Sequence, residues 1–588
     1  MFKGNLLKFV SHGAWAFLIL GVTACVDNDY DLTKDIDYTV TVGGDLSIPG
    51  SNTEAITLKK ILDMDETSIV KADENGFYSL VKSTAPQQTD VKVDSILFNN
   101  EMFDSEGAET FLEMPQGMFD ALPENEAIEY PVQREVTSVT AEKTDVTDEL
   151  LAIDSAVTEL PMDLEYRFLP DNDLQKIYLK AGYQIDFPDY VVISEAENTD
   201  KSLIEVRNGK SIFFKKDLMV NENGLNIPVM IRVLDFTNMP EGSGFTYPSK
   251  MKIDMELVSE GQIYFYKKDF VQNTNRHNIH FMRTPRLREG KIMNCKVKVQ
   301  PEINIEMESI QIDNLPDFLS DEDVVVDLVD PKFYVTVTNS APVDVNLNAT
   351  ITAHRKDGSS SIQVGDKHGV PVVIPKSVEN YVICFHKQNT EVEGADQSIQ
   401  LTDMDVLIEK IPQYISIDDI ESNVPDRYYY VRPGRTYSVL TETRIDAPLT
   451  FGEKTNIVYR DTLDGWHEDL DKYDMKAATI TMDAVNAIPL NMKLDVQAID
   501  VNGNEIPDIV ATVDKSIAAG YMEQPTTTTI TIQLTSQNGS ISKLDGLLLI
   551  ANATSPATNE SQQLNENQTL TLTNVRVSVK GGVKIDLN

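Results

Sequence analysis

Beyond its first two dozen residues the chain has no apolar run of about 18 residues, the length at which a helix can cross a bilayer, so a spanning helix is excluded there. Cysteine is nearly absent, with 3 in 588 residues: Cys25, Cys295 and Cys384. No Cys-x-x-Cys pair exists, which removes thiol-redox and zinc-ribbon chemistry. Basic residues are scarce too. The 51 Lys and Arg stand against 93 Asp and Glu, a formal net charge of −42. Such a chain repels phosphate backbones, so nucleic acid is excluded as a partner. Also missing are His-Glu-x-x-His, Gly-x-Ser-x-Gly and Gly-x-x-x-x-Gly-Lys, the signatures of zinc peptidases, serine hydrolases and phosphate cradles. A carboxylate pair at any chosen spacing is too easily found among 93 acids to indicate a glycosidase. What is present is 41% hydrophobic content, enough for real cores rather than global disorder. The length suggests several domains of roughly 100–200 residues each.

The amino end has three zones. Lys3 and Lys8 give it positive charge, Phe9 to Val22 is mostly apolar, and Val22-Thr23-Ala24-Cys25 follows. The apolar run is about 14 residues, short of the ~20 that span a membrane, and suits a secretory leader instead. Val22-Thr23-Ala24-Cys25 resembles the lipobox of bacterial lipoproteins. That resemblance implies cleavage before Cys25, lipid on its thiol and acylation of the new amino end, with several chains giving a firm anchor. The following Val26-Asp27-Asn28-Asp29-Tyr30-Asp31 is similar to the surface-export signal of Bacteroides-type lipoproteins; in other Gram-negative bacteria an aspartate after the cysteine implies retention at the inner membrane. Asp94-Ser95-Ile96, Asp154-Ser155-Ala156 and Asp461-Thr462-Leu463 resemble the O-glycosylation triplets of the same bacterial group.

The body reads as all-β, several β-sandwich (immunoglobulin-like) domains in tandem. Alternation at Tyr38-Val40-Val42 and Leu46-Ile48 around Gly43-Gly44 predicts a hairpin, Leu58, Ile61 and Leu62 predict a short helix over 58–65, and Asp73 to Gly76 predict a turn. The acidic, proline-bearing stretch 99–131 predicts loop. Three segments share a proline followed by alternation: Pro161 to Phe168, Pro342 to Ala349 and Pro489 to Val496, the last two preceded by Asn339 and Asn486. A second pattern recurs at Phe187-Pro188-Asp189-Tyr190, Leu315-Pro316-Asp317-Phe318 and Ile411-Pro412-Gln413-Tyr414. Repetition at this wide interval favours duplicated domains over a solenoid. Alternation at Val575-Val577-Val579, then Gly581-Gly582, then Val583-Ile585-Leu587, predicts a closing strand. The expected division is a leader 1–24, an acidic tether 25–37, a β-rich region with a short helix 38–135, a β domain 136–305, a β-sandwich 306–400 and one or more C-terminal β domains 401–588.

Few residues suggest chemistry. Cys295 and Cys384 fit either a disulfide or two buried thiols. His277 and His280 have metal-ligand spacing, but the neighbouring Arg276, Arg283, Arg286 and Arg288 favour a solvated basic loop. The basic island from Arg276 to Lys298 fits an anionic glycan, lipopolysaccharide or acidic partner, or else simple pairing with acidic loops nearby. Tyr428-Tyr429-Tyr430 with Tyr437, and Trp466 with Tyr459 and Tyr473, are the aromatic clusters. Trp466 follows Asp464-Gly465, so an exposed loop-tip indole able to stack on a sugar is expected there. The whole resembles Bacteroides-type surface lipoproteins. That implies a non-enzymatic cell-surface protein lipid-anchored in the outer membrane, binding a glycan or an envelope protein, without a cofactor or metal. A hydrolase of extracellular polymer and a periplasmic lipid-handling protein are the competing readings.

Overall fold

In a computed structural model the described residues are 39–42, 46–49, 55–62, 68–271, 276–301, 303, 305–315, 319, 324–467, 475–541, 543–556, 562–580 and 583–586. The fold is all-β, as tandem β-sandwiches. Alternation makes the strands. In Lys250–Phe265 the residues Met251, Ile253, Met255 and Leu257 are fully buried, while Lys252 and Asp254 between them remain half-exposed. The first sandwich pairs a nine-stranded with an eight-stranded sheet around the long strands Ile128–Lys143, Leu150–Phe168 and Lys250–Phe265. The next combines seven- and five-stranded sheets, and the last six- and three-stranded sheets. The first two share one continuous apolar core, whereas most of the last sandwich has its own, built on Ala484, Ile530 and Leu547.

The amino-terminal strands form no sandwich of their own. They run back along the others and add strands to each. Thr39–Val42 pairs with Val583–Asp586. Leu46–Pro49 and Ile56–Thr57 lie on Thr569–Lys580 of the last sandwich. Tyr78–Ser83 and Gln87–Lys92 lie on Thr436–Pro448 of the middle one, and Leu97–Phe98 joins Gly290–Val299 of the first. The expected hairpin over Gly43-Gly44 is therefore not made: both its arms find partners near the carboxyl end. The predicted closing strand is present, and the Asp73–Gly76 turn is closed by Asp73 Oδ1 accepting from the amides of Asn75 and Phe77 at 2.8 and 2.9 Å. The helix is Leu58–Leu62, and two strands, Phe103–Glu106 and Ala108–Glu113, occupy part of the expected loop 99–131. The boundary expected at 400 falls inside the middle sandwich, because Thr436–Pro448 pairs with Lys332–Asn339.

The repeats resolve unequally. Pro342 and Pro489 precede matching strands, Val345–Arg355 and Asn491–Ile499. Pro161 instead lies in the middle of Leu150–Phe168. There the neighbour on one side changes from Gly290–Val299 to Asn278–Leu287, so the missing N–H leaves no ladder bond broken on that side. Residues 316–318 of the second pattern lie outside the described residues. Cys295 and Cys384 are separate, buried, free thiols, and burial pushes Cys295 up to about 12 and Cys384 up to about 11.

Candidate functional site

The strand Tyr429–Val431 lies in sequence between two strands of the middle sandwich, Tyr414–Asn423 and Thr436–Pro448, but pairs antiparallel with Gly290–Val299 of the first, setting Tyr430 opposite Lys296 and Tyr429 opposite Val297. Strand alternation then sorts the three tyrosines. Tyr429 is 1% exposed, while Tyr428 and Tyr430 are 41% and 66% exposed. The row continues across the sheet, since Lys296 faces Ser155 and Ser155 faces Asp235. One row of the outer face therefore reads Tyr430, Lys296, Ser155, Asp235. A parallel row reads Asn294, Val157, Val233, Val192. In and beside it Val157, Met293 and Val192 are 46%, 40% and 37% exposed.

From Arg286 to Lys298 the basic island lies on this face, and its cations are matched with acids. Lys296 reaches Asp154 at 3.2 Å and Lys291 reaches Glu159 at 3.5 Å. Arg288 reaches Asp163 and Arg286 reaches Glu165, each at 2.7 Å. All four acids stand on Leu150–Phe168 of the same sheet, so the expected pairing partner is an adjacent strand rather than a distant loop. Lys298 crosses to Asp426 at 2.9 Å. The hydrogen bonds to Asp154 and Asp426 raise the pKa of Lys296 and Lys298 above the usual lysine value. The two ammonium groups also flank the Tyr428 ring, each 5.4 Å from its centroid. On the inner side of the same strands Cys295, Val297 and Val431 border an apolar cavity of about 50 Å³, with Val345 and Val439 opposite. The face can stack flat apolar surfaces and offer donor and acceptor side by side; among the described residues no His, Cys, Asp and Glu group is arranged to hold a metal ion.

The residues singled out for binding fall elsewhere. Trp466 is 8% exposed and packs in the core of the last sandwich, which corrects the expected loop-tip indole. The turn at Gly465 exists, with φ +90°, but Asp545 ties it down. Its carboxylate accepts from the amides of Gly465 at 3.3 Å and His467 at 3.0 Å, and its carbonyl accepts from the Trp466 amide at 2.8 Å, so the ring turns inward. Tyr459 is half-buried on Asn456–Leu463 against the other core, so the structure does not bring it to Trp466. Tyr473 and Cys25 lie outside the described residues, as do Asp27, Asp29 and Asp31. Of the triplet hydroxyls, Ser95 and Thr462 are exposed. Ser155 is half-buried within a strand and donates to Asp154 at 3.1 Å.

The His277–His280 stretch is no solvated loop. His277 is 4% exposed, stacks on Phe119 at 3.5 Å and meets Gln116 at 3.1 Å. His280 stands on Asn278–Leu287, held between Asp171 and Glu109. Among the described residues no helix is long and apolar enough to cross a membrane.

No protein-family model matches the chain. No curated protein matches it. Among solved structures it is similar to a protein of Parabacteroides distasonis ATCC 8503 assigned as secreted, at 12% identity and a TM-score of 0.33, over 49% of this chain and 83% of that one. It is also similar to a triple jelly roll protein from the turret of an archaeal virus, at 10% identity and a TM-score of 0.09, over 83% of this chain and 91% of that one. At these scores no function is carried from either.

Proposed function

We propose that this protein is a lipid-anchored lipoprotein of the outer membrane that binds a glycan through the face carrying Tyr428 and Tyr430, without catalysing a reaction. The anchor is Cys25, and the leader before it directs export. The observation that carries the binding reading is the register of Tyr430 with Lys296 on a rigid sheet. It sets an exposed aromatic ring beside an ammonium–carboxylate pair. Rings of this kind bury much apolar surface at little entropic cost, and paired polar groups orient what stacks on them. A site on strands holds its geometry better than one on a loop.

Two experiments test the proposal. Mass spectrometry of the mature protein should find Cys25 acylated and the leader gone; an unmodified residue 25 removes the anchor. A glycan array should give binding that Tyr430→Ala and Tyr428→Ala abolish and Trp466→Ala does not abolish beyond its effect on folding. Binding that survives both tyrosine substitutions removes this face.

A further inference from the structure

We infer that the ligand of this face is an uncharged polysaccharide rather than an acidic one. The inference rests on the glycan reading above and deepens it.

A basic island in an acidic chain invites the opposite conclusion, and the geometry decides against it. Each cation of the basic island on this face, Arg286, Arg288, Lys291, Lys296 and Lys298, already holds a carboxylate within 2.7 to 3.5 Å, and Arg232 beside Val233 donates to Ser194 at 3.0 Å. An anionic ligand would have to displace those carboxylates and leave them facing it, in a molecule whose formal net charge is −42. A neutral sugar needs no displacement. Of two adjacent hydroxyls, one accepts from the Lys296 ammonium and the other donates to the Asp154 carboxylate, so the pair is used as it stands. The C–H face of a pyranose is apolar and fits the exposed rings of Tyr428 and Tyr430. The neighbouring row with Val157, Val233 and Val192 gives a second apolar strip on the same face. From Tyr430 to Asp235 the row crosses three strand spacings, about 14 Å, which exceeds one hexose ring and suits a chain of sugars.

The test is affinity electrophoresis and calorimetric titration of the full mature protein against dextran, laminarin and galactomannan as neutral probes, and polygalacturonate and alginate as acidic ones. At least one neutral polymer should bind, with an affinity that barely changes as salt rises from about 0.05 to about 0.5 M, because no net charge is neutralised. Tyr430→Ala should weaken it at least tenfold while leaving the melting midpoint unchanged. Asp154→Ala is the discriminating variant. It should weaken a neutral ligand by removing an acceptor, whereas it would tighten an acidic one by freeing Lys296. Acidic polymers binding in place of neutral ones, with a steep salt dependence and a gain from Asp154→Ala, would overturn this inference and leave the glycan reading standing. No binding to any polymer, or a protein partner captured on the same tyrosines, would overturn both.

Discussion

Asn339 and Asn486 make the same three hydrogen bonds in two successive sandwiches. Asn339 Nδ2 donates to the carbonyls of Val343 at 3.1 Å and Pro375 at 3.0 Å, and its Oδ1 accepts from the Ala341 amide at 2.9 Å. Asn486 Nδ2 donates to Leu490 at 3.1 Å and Ala518 at 2.9 Å, and its Oδ1 accepts from Ile488 at 2.9 Å. The next polar residues agree as well: Asp344 accepts from the Lys376 amide and Asn491 from the Ala519 amide, both at 2.9 Å. Agreement of side chain, distance and target argues for duplication more strongly than a shared proline does. Both asparagines are fully buried. Asn→Ala at either site strands two carbonyls and one amide, so each should cost about 3 kcal/mol. In calorimetry Asn486→Ala should lower the transition of the last sandwich, which has its own core. Asn339→Ala should lower the transition of the core shared by the other two. Identical shifts of one transition by both variants would contradict the division into two cores.

Arg283 and Glu135 form an ion pair between the two sheets of the first sandwich. Arg283 takes an inward position on its strand, between Phe281 and Pro285, and its side chain is 4% exposed. Thr110 accepts from it at 3.0 Å, yet Nε and Nη1 have no partner among the described residues. Removing one member of such a pair leaves a bare charge in the core. Glu135→Gln should therefore cost about 3–5 kcal/mol, while Arg283→Met together with Glu135→Leu should cost little or stabilise. Urea unfolding of the three proteins checks this, and a double variant as damaged as the single one would show that the pair does more than satisfy its own charges.

Alternation made the all-β character, the Asp73 turn and the closing strand readable without any long-range information. What could not be read was pairing. Tyr428-Tyr429-Tyr430 announces one buried ring between two exposed ones only if it is a strand, and its partner is remote: Cys295 and Val431, which touch through Sγ and a carbonyl, are 136 residues apart. The same limit hid the shared edges of residues 39–98, where local alternation suggests hairpins and tertiary partners outcompete them. Trp466 misled for a related reason. Asp464-Gly465 is a true turn signal, but a turn does not say which way the next side chain points, and here Asp545 sets that from the far side of the chain.

His280 makes folding stability depend on pH. Burial disfavours the charged ring, but hydrogen bonds with Asp171 and Glu109 and the two carboxylate charges outweigh it, so its pKa lies above the ordinary 6.5. The same contact, led by its hydrogen bond, lowers the pKa of Asp171, and Arg276 adds to that lowering. The ring of Phe111 packs edge-on beside the imidazole. A folded-state pKa above the unfolded one means stabilisation that is complete below the unfolded value and lost as pH rises through the folded one. The melting midpoint should therefore fall as pH rises past the ordinary imidazole value of about 6.5. His280→Gln should be less stable than the native chain at pH 6, and that gap should narrow as pH rises into the alkaline range. A gap that stays constant over this range would show that the imidazolium contributes nothing.

Leu80 shows how firmly the amino-terminal strands are built into sandwiches made hundreds of residues later. It pairs with Ala447, and its side chain, 4% exposed, enters the core of the middle sandwich among Ile312, Val326, Leu328, Ile445 and Leu449. A short added strand gains its main-chain bonds only along its own length, so its hold depends on such anchors. Leu80→Ala should cost about 3 kcal/mol through the cavity it leaves. The loss should appear as faster hydrogen exchange in Tyr78–Ser83 and in Thr436–Pro448, with the strand Thr526–Ser536 of the last sandwich unchanged, because that strand belongs to a separate core. Deleting residues 26–57 should do the reverse. It removes Leu46–Pro49 and Ile56–Thr57, uncovers the edge of Thr569–Lys580 and lowers the melting of the last sandwich alone, with a rise in aggregation that the native protein lacks. If both changes weakened all three sandwiches equally, the amino-terminal strands would act as one clamp on the whole molecule rather than as separate edges.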